Sequence, residues 1–164
     1  VGKVAALVSH DRPAVVWCHT NDEADQLVKA IPESEQVAGR TPDEEKVDRY
    51  DAFADGSLRV LVIKPKIGAW GLNWQHCNHV VTFASHSYEQ HYQSVRRCWR
   101  FGQTRPVTVD VVATEGEERV VENLQAKAAK ADAMFTVLVA AMTHAERSEK
   151  QNPYTNPVRI PTWL

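Results

Sequence analysis

The sequence predicts an α/β sandwich, with a mostly parallel central sheet between layers of helices. Short apolar runs alternate along the chain with longer polar segments that carry helix-capping signals. This alternation is typical of β-α-β units with right-handed crossovers. The length of 164 residues and the 43% content of hydrophobic residues are enough for one packed core. No apolar run approaches the ~20 residues of a membrane helix, and no signal peptide is visible. We therefore expect a cytoplasmic protein without a membrane partner.

Five strands and five helices are predicted in order. The strands are Ala14–Cys18, a short Glu35–Ala38, Arg59–Ile63, Asn78–Phe83 and Pro106–Ala113. The helices are one ending within residues 3–9, one after a Thr20-Asn21-Asp22 cap, one from Thr41-Pro42 to about Ala54, one from Tyr88 to about Arg100, and one from Glu117 to about His144. Residues 1–147 are predicted to form one domain, followed by an extended, proline-containing tail over 148–164.

The charge distribution is uneven along the chain. The net charge is −2, but residues 21–55 carry four Lys or Arg against eleven Asp or Glu, whereas residues 57–110 carry seven against two. A basic segment in an acidic protein is typical of an anion site, although solvated surface charge gives the same pattern. The three cysteines, Cys18, Cys77 and Cys98, are widely spaced and match neither a disulfide framework nor a zinc site. No metal ligands are predicted in this chain.

Two arginines in the segment QSVRRCWRFGQ, residues 93–103, are the strongest chemical signal. Arg97 and Arg100 are three residues apart and are predicted to share one face of a helix that ends at Gly102. Guanidinium groups make planar, permanently charged contacts to phosphate oxygens. The alternative is that these arginines pair with the acidic residues of 21–55 or face solvent. The pattern thus favours a phosphate site without excluding a structural role.

The same segment resembles motif VI of superfamily 2 helicases. The glutamine after Gly102 and the following TRPV resemble the chromatin-remodelling (switch/sucrose non-fermenting) branch and its phage and bacterial relatives. RVLVIKPKIGAWGLN, residues 59–73, resembles motif V, and AVVWCHTNDEADQL, residues 14–27, resembles motif IV with its helix. EQVAGRTPDEEKVDRYDAFADGSLRVLVI, residues 35–63, resembles the stretch between motifs IV and V. The similarity is collinear over about residues 13 to 142, and four segments in the right order are more specific than one.

This resemblance implies the C-terminal RecA-like lobe of an ATP-dependent DNA helicase or translocase. By similarity, Arg97 and Arg100 would be catalytic arginine fingers that reach ATP bound on an N-terminal lobe. The nucleotide-binding residues would be Gln93, Gly71 and Asn73, and the nucleic-acid-binding residues would be Thr20, Asn21, Gly39, Arg40, Lys64 and Lys66. The implied cofactors are ATP and Mg²⁺, with Mg²⁺ held by the N-terminal lobe. The implied partners are that lobe and nucleic acid, DNA rather than RNA, in a bacterial or phage-infected cytoplasm.

The chain departs from the family pattern at several positions. Arg96 replaces the usual acid before the first motif VI arginine, and Trp99 replaces a usual histidine. No P-loop sequence G-x-x-x-x-G-K-[ST] occurs, nor an Asp-Glu pair after an apolar strand. We therefore expect the isolated chain to hydrolyse ATP negligibly. The alternative function is a non-catalytic nucleic-acid or protein-binding module derived from a helicase lobe.

Overall fold

A five-stranded, all-parallel sheet is the centre of the first of two units in this computed structural model. The structure describes residues 1–67 and 72–151, with side chains as far as residue 142. The two units are Val1–Gln125 and Ala126–Leu164. The strands are β1 (Ala14–Trp17), β2 (Ser34–Val37), β3 (Val60–Ile63), β4 (His79–Phe83) and β5 (Thr108–Val112). The helices are α1 (Gly2–Leu7), α2 (Asn21–Ala30), α3 (Asp43–Asp55), α4 (Tyr88–Arg96) and α5 (Glu118–Gln151).

The strand order is β2-β3-β1-β4-β5, which confirms the predicted α/β fold. After β1 the chain adds β2 and β3 on one side of the sheet, then crosses to add β4 and β5 on the other side. The direction of winding therefore changes next to β1. In parallel sheets of this kind, ligands bind outside the carboxyl ends of the strands, close to such a point.

Helices cover both faces of the sheet. Ala14 and Val16 of β1 pack with residues of α1 and α2, whereas Val15 and Trp17 pack with α3 and the loop before β4. Because successive side chains of a strand point to opposite faces, a strand buried on both faces is apolar at every position. All residues of β1 and β3 are buried for this reason, which is why their sequences are continuous apolar runs.

Local capping differs from the prediction at α3. The sequence predicts Thr41 as the cap and Pro42 as the first helical residue, but Pro42 is the N-cap and makes no side-chain capping bond. The Thr41 hydroxyl instead accepts a hydrogen bond from the backbone N–H of Ala38 at 3.1 Å. That bond turns the chain between β2 and α3. The predicted cap of α2 is present, because Thr20 and Glu23 form a reciprocal capping box.

Helix α4 is shorter than predicted and ends at Arg96 rather than near Arg100. The backbone then tightens, since the N–H of Cys98 bonds to the carbonyl of Val95 at 3.0 Å, three residues back. The carbonyl of Arg97 accepts a hydrogen bond from Trp74, at 2.9 Å, in the loop before β4. This tertiary bond competes with continuation of the helix, and the two arginines lie beyond its end.

The second unit contains the later part of α5. The helix continues to Gln151, past its predicted end near His144. Six of its described side chains are large, apolar and exposed: Met134, Phe135, Val137, Leu138, Val139 and Met142. Residues 152–164, most of the predicted tail, lie outside the described residues. Within residues 1–67 and 72–151, no helix combines the length and the apolar character needed to cross a membrane.

Candidate functional site

A pocket opens at the carboxyl ends of the central strands, where the loops after β1, β2 and β3 meet. Its volume is about 380 Å³, and it is lined by His19, Gly39, Lys64, Pro65, Lys66, Ile67 and Gln90. Three residues predicted to contact nucleic acid, Gly39, Lys64 and Lys66, therefore lie together. A Cβ at Gly39 would meet nothing within 4 Å, so the backbone is open at this point. Two lysine ammonium groups beside accessible backbone can bind the oxygens of a phosphate group.

Two pocket residues were missed by the sequence reasoning. His19 follows β1, and its ring lies 3.0 Å from the carbonyl oxygen of Ala84. Gln90 comes from α4, so a helix distant in sequence completes the pocket. His19 lies inside the quoted motif IV segment and could have been identified there, whereas no local signal in the sequence distinguishes Gln90.

Asn21 and Lys64 are in direct contact across this edge. The Lys64 ammonium donates a hydrogen bond to Asn21 Oδ1 at 2.5 Å. The neighbouring Thr20 hydroxyl accepts from the N–H of Glu23 at 3.2 Å, within the capping box. Thr20 is thus already used to begin α2, whereas Asn21 holds the ammonium group of Lys64, a residue that lines the pocket.

Arg40 lies away from the pocket lining. Its guanidinium forms an ion pair with Asp25 of α2 at 3.1 Å. The pKa of Asp25 lies below its ordinary value, chiefly because the Gln36 side chain donates to this carboxylate and secondly because of Arg40. Arg40 is therefore bound to an acidic partner, which lowers its availability to an external anion.

A turn over residues 97–103, which we call the arginine turn, carries both predicted fingers. Arg97 is only 8% exposed, and its Nε has no hydrogen-bond partner among the described residues. No ion pair joins Arg97 or Arg100 to an acid in that part of the chain. Burial and the nearby charge of Arg100 lower the pKa of Arg97 below its ordinary value. Arg100 itself is exposed, as is Gln93, one helical turn before Arg97.

Gln103 fixes the arginine turn to the loop before β4. Its Nε2 lies 2.9 Å from the carbonyl oxygen of Gln75, 3.1 Å from that of Cys77 and 3.2 Å from that of Cys98. Gln75 reciprocates, because its side-chain amide donates to the carbonyl of Phe101. Gln103 belongs to the segment that resembles motif VI, but the sequence alone predicted no role for it. Its position beside two arginines could have indicated one.

Gly102 allows the two segments to approach. It has a φ of +94°, a conformation that favours glycine. A Cβ there would lie 2.9 Å from Gln75 Nε2, closer than side chains tolerate. The predicted glycine that ends the arginine segment is thus also the point of closest packing against the loop before β4.

The remaining nucleotide-site candidates belong to that loop. Asn73 is exposed and directly precedes Trp74, the residue bonded to Arg97. Gly71 lies outside the described residues, together with 68–70. Within the described part of the chain, no group of three or more His, Cys, Asp or Glu side chains is arranged to hold a metal ion.

Comparison with known proteins identifies the family. The model of the helicase conserved C-terminal domain matches residues 2–102. The chain is 25% identical over 118 residues to the ATP-dependent RNA helicase SUB2 of Debaryomyces hansenii, covering 69% of this chain and 27% of that protein. It is 31% identical over 130 residues to the putative helicase 172L of Invertebrate iridescent virus 6, covering 73% and 21%. A mouse SWI/SNF-related regulator of chromatin, subfamily A member 1, is 31% identical over 100 residues, covering 58% and 10%.

Solved structures support the same fold. The C-terminal part of the Fun30 ATPase domain has a TM-score of 0.62 at 18% identity, covering 72% of this chain and 41% of that chain. The Mycobacterium smegmatis helicase Lhr, bound to ssDNA and AMP-PNP, has a TM-score of 0.61 at 17% identity, covering 76% and 18%. The chain spans at most 27% of the length of the curated relatives named above. It belongs to the helicase conserved C-terminal domain family of superfamily 2 helicases.

Proposed function

We propose that this chain is the C-terminal motor lobe of an ATP-dependent DNA helicase or translocase of the remodeller-like, phage or bacterial type. In this role it supplies arginine fingers and nucleic-acid backbone contacts, and it needs an N-terminal lobe that carries the P-loop and holds Mg²⁺. The observation that carries the proposal is the buried Arg97 guanidinium, which has an unpartnered Nε and lies close to a second arginine.

An external anion explains this arrangement best. A buried guanidinium that has an unpartnered Nε and no ion pair among the described residues is costly, and two neighbouring cations repel each other. A polyphosphate placed against Arg97 and Arg100 would offset both costs, because guanidinium groups bind phosphate oxygens strongly. ATP would supply the transferring phosphoryl group, and these two side chains would stabilise the charge on it. Gln93, Asn73 and Gly71 would lie along the same nucleotide site.

The pocket at the strand ends is the proposed nucleic-acid contact. Lys64, Lys66, Asn21 and the backbone at Gly39 would bind DNA phosphates without reading bases. Thr20 would contribute from its capping position, and Arg40 would do so after release from Asp25. The contacts are electrostatic, so we expect DNA affinity to fall steeply with salt.

The test is ATP turnover in a protein that contains this chain and a P-loop lobe. We expect Arg97→Ala and Arg100→Ala each to lower kcat by about 10³- to 10⁵-fold, the range known for arginine fingers. Arg119→Ala changes an exposed arginine of α5 and is the matched control. Turnover at the parent rate in both finger variants would show that the assignment is wrong and would favour the non-catalytic binding module. The isolated chain is expected to show negligible turnover with or without DNA.

A further inference from the structure

Helix α4 and the residues after it carry a second chemical surface, made of neighbouring aromatic rings and a guanidinium. The ring centroids of Tyr88 and Tyr92 are 5.9 Å apart. The Arg96 guanidinium carbon lies 5.9 Å from the Tyr92 centroid and 5.2 Å from the Trp99 centroid. Tyr92 is 41% exposed and Trp99 is 54% exposed. We call these four residues, Tyr88, Tyr92, Arg96 and Trp99, the stacking ladder.

The stacking ladder adjoins the predicted finger residues but is made of different side chains. Its first three members are spaced four residues apart, so they follow one face of the helix, and Trp99 continues that line beyond the helix end. Gln93 and Arg97 each lie one position after a ladder residue, which places them about 100° around the helix axis. Gln93 and Arg97 therefore lie on a different side of the helix from the ladder, whereas Arg100 follows Trp99 directly and borders it.

We propose that the stacking ladder binds unpaired bases of a single-stranded nucleic acid. Aromatic rings bind bases through their faces without sequence preference, and arginine adds a cation–π contribution. The Arg96 guanidinium gives this surface a positive charge, so it complements a polyanion. The inference extends the proposed nucleic-acid role to bases, and it does not depend on the ATP role.

Two sequence features support a ligand rather than a purely structural role. Arg96 stands where the resembling motif has an acid, and Trp99 stands where it has a histidine. In the structure these two replacements contact each other. Together they exchange a negative charge for a positive one and add a large exposed ring, and both changes favour a nucleic-acid ligand.

The experiment measures binding of the full 164-residue chain to two labelled strands by fluorescence anisotropy. One strand is a 20-nucleotide oligo(dT), and the other is an abasic strand of equal length. We expect Trp99→Ala and Tyr92→Ala to weaken oligo(dT) binding by about 5- to 150-fold, the range for one stacked base. Binding to the abasic strand should not change. Arg96→Lys keeps the charge but loses the planar group, so a smaller, oligo(dT)-specific loss is expected.

The matched control is Phe135→Ala, which removes an exposed ring from α5 and should affect neither strand. Lys66→Ala should weaken binding of both strands equally and reduce the salt dependence of that binding, because it removes a phosphate contact. Circular dichroism checks that the exposed substitutions leave the fold intact.

Three results would overturn the proposal. They are unchanged oligo(dT) binding in the Trp99 and Tyr92 variants, an equal loss on both strands, and no binding of either strand by the parent. If the ladder variants bind oligo(dT) normally but associate poorly with a P-loop lobe, the surface is a protein interface. If either of the first two results is found but Lys66→Ala still weakens binding of both strands, the proposed backbone contact stands while the ladder proposal fails.

Discussion

Gln103 is expected to be the main determinant of the position of the arginine turn. One side-chain amide lies within hydrogen-bond distance of three backbone carbonyls, those of Gln75, Cys77 and Cys98. Its oxygen also accepts from the N–H of Arg105 at 3.0 Å. Gln103→Ala removes all of these contacts at once and leaves half-buried carbonyls without their donor.

The magnitude follows from these contacts. A net hydrogen bond contributes about 1 kcal/mol, and an unsatisfied buried acceptor costs about 1–3 kcal/mol. With two amide hydrogens shared among three carbonyls, we expect the free energy of unfolding to fall by about 2–4 kcal/mol. Gln103→Glu should be worse, because it keeps the shape but places a carboxylate oxygen against carbonyl oxygens.

The assay is urea unfolding of the full chain followed by circular dichroism. With a urea m-value of ~2 kcal/mol/M, the midpoint of Gln103→Ala should drop by about 1–2 M. Gln125→Ala, which changes an exposed glutamine, should stay within ~0.5 kcal/mol of the parent. A midpoint for Gln103→Ala that matches this control, or a Glu variant as stable as the Ala variant, would refute the reasoning.

Three further predictions concern single residues. Gly102→Ala should cost ~2 kcal/mol from its positive φ and lower the melting temperature by about 4–8 °C, measured by calorimetry. Gly39→Ala should not change the melting temperature, because the added Cβ would point into open space. Equal falls in the melting temperature for the Gly39 and Gly102 variants would contradict this prediction. Thr20→Ala should lose about 1 kcal/mol in urea unfolding because it removes a helix cap. Thr20→Ser should recover that loss, because serine also caps helices. Equal free energies of unfolding for the Ala and Ser variants would contradict the capping explanation. Burial raises the pKa of Cys18 to about 12. The folded thiol therefore stays protonated while the unfolded one ionises, so the free energy of unfolding should fall as pH rises from about 9 toward 12, by up to ~1.4 kcal/mol per pH unit. Unfolding under reducing conditions at pH 7 and pH 10 should show this loss in the parent and less of it in Cys18→Ala.

The strands could be predicted because their signal is local. β1 and β3 are buried on both faces, so each is a continuous apolar run bounded by polar residues. β2 lies at the sheet edge and is partly exposed, and its predicted start is one residue late. Burial on both faces thus explains why the central strands were recognised most clearly.

The candidate site was only partly predictable. Lys64 and Lys66 were assigned to a nucleic-acid contact through the resemblance to motif V, and the structure places them with Gly39 in one pocket. Their role stays a prediction. The partner of Arg40, Asp25, lies 15 residues away, and no local pattern indicates that this pair forms. Gln90 reaches the pocket only because α4 packs against the sheet. Such contacts depend on how helices are placed, which a single segment does not encode.

The sequence by itself determined the order of strands and helices, the parallel sheet and the family, because periodicity and motif order are properties of the chain read linearly. Only the tertiary structure decided where α4 ends, which arginine is buried, and how Gln103 holds the turn across 28 residues to Gln75. The physical reason is that hydrogen bonding and burial depend on distance in space. Arg96 and Trp99 illustrate it, since they are three residues apart in the sequence, yet only the fold shows that the guanidinium of Arg96 lies over the exposed ring of Trp99.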